Sequence, residues 1–81
     1  MIPFKVTTLN GKDYIEVYNK FQNLGFTNVE KKPIKDLVFG WLVKDGSIEK
    51  VTIGGEQNNK KNKAFPFDIE IIIEYHTFRK S

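Results

Sequence analysis

Few residues of this chain are of a type that does acid–base chemistry near neutral pH. His76 is the single histidine, and imidazole is the one side chain whose ordinary pKa lies in that range. On a strand, Glu74 would share its face, and so would Glu70 four residues further along. General-base catalysis also needs a nucleophile within hydrogen-bond reach and a third group that orients the base. The sequence offers neither at a predictable distance, so His76 reads as an exposed strand-end residue. Glu70 and Glu74 read as outward carboxylates that blunt an otherwise apolar strand. The chain has no cysteine, which excludes disulfides and thiolate metal sites. With one histidine and no ligand pair at metal spacing, no metal and no cofactor is expected. The reading is that the protein is not an enzyme.

Two clusters have the composition of a binding surface instead. The tract Lys60-Lys61-Asn62-Lys63 is either a solvated charge run or an attractor for phosphate or an anionic wall polymer. The segment "VFGWLV", residues 38–43, holds the only tryptophan. On a strand it would set Phe39, Trp41 and Val43 on one face and Val38 and Leu42 on the other. Either the second face is covered, by loop 54–63, by an irregularity at Gly40 or by a helical stretch before it, or Trp41 centres an aromatic contact surface. The candidate binding residues are therefore Phe39, Trp41, Val43, Lys60, Lys61 and Lys63. Net charge is +3, from thirteen basic and ten acidic residues, and the two signs are interleaved. That balance does not point to nucleic acid. No glycine-rich loop opens a helix in the phosphate-binding manner, and no aromatic ladder of the RNA-binding kind is present.

The elements that must position these groups follow from periodicity. "IPFKV" alternates Ile2, Phe4 and Val6 against Pro3 and Lys5, the pattern of a half-buried first strand. In "NGKDYIEVYNKFQNLGF", Tyr14, Val17, Phe21 and Leu24 recur at helical steps, with Ile15 and Tyr18 widening the stripe. Asn10 with Asp13, or Asp13 with Glu16, could cap its start. Gly25 supplies the left-handed stop, and Phe26 can fold back on the last turn. "FTNVEKK" reads as a short strand broken by Pro33. Asp45-Gly46 between apolar runs signals a hairpin with arms at residues 39–44 and 47–53. Residues 54–63, "GGEQNNKKNK", lack periodicity and apolar anchors, and read as a mobile surface loop. "FDIEIIIEYHTF" sets Ile69, Ile71, Ile73 and Tyr75 against Glu70, Ile72, Glu74 and His76, a long strand with one buried face. The expected fold is α+β: one domain over residues 1–81, a single helix on one face of a small three- to four-stranded, mostly antiparallel sheet.

This order of elements resembles a PASTA domain, the module named for penicillin-binding proteins and serine/threonine kinases. The resemblance is carried by the proline-bearing "IPF", the helix ending "FQNLGFTNV", and the closing "FDIEIIIEY" after a polar loop, and it covers nearly the whole chain. More narrowly, "LGFTNV", "DLVFGWLVKDGSIEKVTI" and "IIIEYHTF" resemble a divergent bacterial PASTA-like subgroup. The chain departs from the typical pattern at "VTIGGE", which stands where a Ser-x-Pro turn is usual. The resemblance implies binding of peptidoglycan fragments; with the residue reading, the expectation is a non-catalytic, monomeric binding module that recognises a cell-envelope polymer or a protein partner through the helix-free sheet face. A structural spacer in a larger extracellular protein and a small stand-alone modulator of an enzyme are the alternatives. Extracellular placement goes with the first two and cytoplasmic with the last. No apolar stretch approaches the roughly 18 residues of a membrane span, so no membrane insertion is expected.

Overall fold

In the computed structural model, which describes residues 2–37 and 44–78, local chemistry sets both ends of the helix. Helix α1 spans Tyr14–Asn23. Of the two expected starts the chain takes the second: Asp13 caps, its Oδ2 accepting from the Glu16 N–H at 3.2 Å, which satisfies one orphan donor of the first turn. Asn10 is thereby released, and its Nδ2 donates to the Glu49 carbonyl at 2.6 Å. At the other end Gly25, at φ 98°, closes a Schellman turn. The Phe26 N–H reaches the Phe21 carbonyl at 3.2 Å and the Gly25 N–H reaches Gln22 at 3.0 Å. The Phe26 ring meets Phe21 edge-on, centroids 6.2 Å apart, the apolar contact that accompanies this motif.

Val17 and Phe21 carry the buried stripe, with Tyr14, Tyr18 and Leu24 half-buried around it. Ile15, expected to widen the stripe, is 51% exposed. The stripe packs on a three-stranded sheet of order β1-β3-β2, where β1 is Val29–Leu37, β2 is Ile48–Ile53 and β3 is Ile71–Phe78. The fold is therefore α+β, as the sequence predicts. The sheet is mixed: β2 runs antiparallel to the central β3, and β1 runs parallel to it. The alternation expected for β3 is obeyed. Ile71 and Ile73 are buried toward the helix, in register with Ile53 and Val51 of β2, while Ile72, Glu74 and His76 take the opposite face. Lys31, opposite Ile73, lies on the helix side with its Nζ 4.3 Å from the centre of the Tyr18 ring.

Two strand expectations are corrected. "IPFKV" is not a strand: Ile2 makes one isolated bridge to Lys63, and Val6–Leu9 is a short 3-10 helix. The alternation was real, since Ile2 and Val6 are buried and Phe4 partly so, but the Val6 N–H bonds to the Asn59 side chain instead of a neighbouring strand. Pro33 does not end β1, which runs through it to Leu37. The Ile71 N–H donates to the Asn28 carbonyl while Val29 stands in register with Ile71. That parallel pattern turns the peptide groups of Glu30, Lys32 and Ile34 toward β3 and those of Val29, Lys31 and Pro33 outward. Pro33 thus sits on an edge strand with its missing donor on the open side, where it costs no ladder bond.

Asp45-Gly46 does form a turn, with the Ser47 N–H donating to the Lys44 carbonyl at 3.1 Å and Gly46 at φ 86°. The arm after it becomes β2. The arm expected before it, residues 39–43, lies outside the described residues, and with it the proposed contact residues Phe39, Trp41 and Val43. Among the described residues no helix is long and apolar enough to cross a membrane.

Candidate functional site

The segment after β2 is built by three tight devices. Gly54 and Gly55, at φ 59° and 86°, let the chain reverse so that Ile53 and Glu56 exchange backbone hydrogen bonds of 2.8 and 3.1 Å. A two-residue turn with both central φ positive is one that glycine pairs serve best. Next, Asn59 turns inward and is 7% exposed. Its Oδ1 accepts from the Val6 N–H at 2.7 Å and its Nδ2 donates to the Phe4 carbonyl at 2.8 Å. Last, residues 60–63 close a turn, the Lys63 N–H on the Lys60 carbonyl at 3.3 Å, with Asn62 in the left-handed region at φ 61° that asparagine tolerates. The Asn62 N–H donates to the Ile2 carbonyl at 2.8 Å. The segment lacks apolar anchors, as the sequence indicates, and polar bonds to the N-terminal residues tie it down instead.

These devices enclose a cavity of about 300 Å3. All three lysines of the turn are exposed; Lys60 and Lys63, its first and last residues, also line the cavity, whereas Lys61 between them does not. Glu56 contributes a carboxylate and Asn58 an amide, and Ile53 and Phe65 give the apolar part of the wall. Phe65 is half-buried against the core, and the Lys63 Nζ lies 5.3 Å from its ring centre. The cavity combines a small apolar surface with several solvent-exposed polar groups. Two lysines against one glutamate leave it net positive. Sequence reasoning found Lys60 and Lys63 but missed Glu56, Asn58 and Phe65. The Gly54-Gly55 pair was the one local signal that a tight turn would aim Glu56.

The other sequence candidates lie elsewhere. His76 is on the helix-free face, its Nε2 2.7 Å from Glu49 Oε2. On the same face Lys50 and Glu74 pair at 3.3 Å, so the charges there are largely self-neutralised, around half-buried Ile34, Thr52 and Ile72. No group of three or more potential metal ligands occurs among the described residues. A second concavity of about 310 Å3 lies between Pro3, Phe4 and Leu24 with Lys20 and Asn23 at its border; it is an apolar dish with few polar groups. Near the start of α1, Tyr14 and Tyr75 stack face to face at 3.7 Å and 3°. Burial raises the Tyr75 pKa above the ordinary tyrosine value, and the charge and hydrogen bonding of Tyr14 and the charge of Asp45 add to it.

Comparison with known protein families, with curated proteins and with solved structures finds no match to this chain.

Proposed function

We propose that the protein is a non-catalytic binding module that holds an anionic polymer, of the kind found in cell envelopes, at the pocket bordered by Lys60 and Lys63. The observation that carries this reading is the sorting of the lysine tract: a turn sets the first and third lysines, both solvent-exposed, on the wall of one cavity and leaves Lys61 off it. A merely solvated charge run has no reason to converge on a cavity with an apolar wall. The tie of this segment to the N-terminal residues through Asn59 holds the pocket ready before the ligand arrives, which lowers the ordering cost of binding. The PASTA-like pattern of the sequence points to the same class of ligand. Catalysis finds no support in the same groups, since His76 is engaged with Glu49 and does not line the cavity.

The test is an amide chemical-shift titration of the 81-residue chain with polyphosphate and with polyglutamate at low and high salt. The expected result is shifts centred on residues 53–65 that weaken as salt screens the lysines. Replacing Lys60 and Lys63 together by glutamine should remove them, while Lys61→Gln should leave most of the affinity. Equal losses for all three lysines would mean diffuse attraction to a charge run. Shifts confined to the helix-free face would favour a protein partner there instead.

A further inference from the structure

Glu56 is the group that a simple anion pocket would not carry. A carboxylate on the wall opposes any anion drawn in by Lys60 and Lys63, unless the ligand has something to give it. Among the described residues the side-chain ion pairs are Lys50–Glu74 and His76–Glu49, so Glu56 is not neutralised by either lysine across the cavity. Opposite charges that line the same cavity of about 300 Å3 without pairing give its wall both an acceptor and cationic donors.

Each selects a chemistry. Lysine is a compact, strongly hydrated point charge that suits phosphate, and two ammonium groups match the charge of roughly −1.5 to −2 on a phosphate monoester. An ionised carboxylate is acceptor-only and calls for hydroxyl or N–H donors. The Asn58 amide can serve either role, while the neighbouring Asn59 has spent its amide on Val6 and Phe4. The half-buried Phe65 ring adds an apolar part to the same wall, beside the Lys63 ammonium, of the kind on which the C–H face of a polyol or sugar ring packs. From these we infer that the pocket takes a phosphate monoester of a hydroxylated carbon skeleton, a sugar phosphate unit, with phosphate at Lys60 and Lys63 and hydroxyls at Glu56 and Asn58. This rests on the anion-binding reading above and narrows it from any polyanion to a terminal sugar phosphate, since a phosphate inside such a polymer is a diester with one charge and only an end group is a monoester. Glu56 then acts as the selecting element: it penalises bare anions and rewards those that carry donors.

The experiment compares inorganic phosphate with glucose 6-phosphate on the intact chain and on Glu56→Ala, each checked for native amide dispersion, by the same titration. The intact chain should bind glucose 6-phosphate about tenfold more tightly than phosphate, the scale of one hydrogen bond to a charged group. In Glu56→Ala the two ligands should move in opposite directions, glucose 6-phosphate weakening and phosphate holding or tightening. Equal affinities in the intact chain, or a variant that tightens both ligands alike, would make Glu56 a bystander or a simple repeller and overturn the inference. Binding of neither ligand, nor of polyphosphate, would sink the anion-binding reading itself and this inference with it.

Discussion

Asn59 ties together, through its side chain, two stretches of chain that also meet through the backbone bonds of Ile2 with Asn62 and Lys63. Its amide bridges a donor and an acceptor 53 and 55 positions away, and among the described residues no buried side-chain nitrogen or oxygen lacks a partner. Removing it leaves the Val6 N–H and the Phe4 carbonyl without their bonds. A buried polar group stripped of its partner costs about 1–3 kcal/mol. Asn59→Ala is therefore expected to lower the urea unfolding free energy by about that amount or more and to broaden the amide signals of residues 54–65. Asn58→Ala, at an exposed neighbour, is expected to be near neutral. Indistinguishable midpoints for the two variants would mean that Asn59 is not the anchor.

At the scale of elements, the helix stripe is unequal along its length. Phe21 is fully buried, between Phe4 and Phe26, whose ring centres lie 5.6 and 6.2 Å away. Leu24 occupies the C-cap and is only partly covered, at the border of the apolar dish. Phe21→Ala should thus cost about 3–5 kcal/mol, the range for a buried aromatic truncated to alanine. Leu24→Ala should fall clearly below it, although both belong to the same 3.6-residue pattern. Thermal and urea denaturation of the two variants decides this, and equal losses would contradict the burial difference. In so small a domain the larger of these is a substantial share of the whole stability.

For the molecule as a whole, one pH dependence follows from the packing of α1 against β3. The fold favours the protonated form of Tyr75, by burial first and then by Tyr14 and Asp45, so its folded pKa lies above the unfolded value of about 10. A group raised in this way contributes stability that is complete below the unfolded pKa and is lost as pH climbs through the folded one. Unfolding midpoints are expected to fall on the alkaline side of about pH 10, in a single cooperative transition. Tyr75→Phe, which keeps the ring stack and removes the proton, should flatten that fall. An unchanged alkaline profile in Tyr75→Phe would assign the loss to other groups.

The sequence by itself determined the interactions that close within a few residues. The Gly25 stop with Phe26 folded over Phe21, the turn at Asp45-Gly46 and the alternation of Ile71 and Ile73 against Ile72 and Glu74 all rest on neighbours that local patterns encode, while the helix start is narrowed to Asn10 or Asp13. From these came the α+β class, helix α1 and the buried face of β3. Only the tertiary structure decided that β1 runs parallel to β3 and continues through Pro33, since a proline reads as a break until it is known which side of an edge strand its nitrogen faces. Ile2 and Val6 alternate as a strand would, yet the partner of the Val6 N–H is a side chain 53 positions on. The lysine tract has the composition of a solvated run, and its division into Lys60 and Lys63 on the pocket wall and Lys61 off it depends on one turn tied to Ile2. In each case the deciding hydrogen bond joins residues far apart in the chain, and no local periodicity carries information about such a partner.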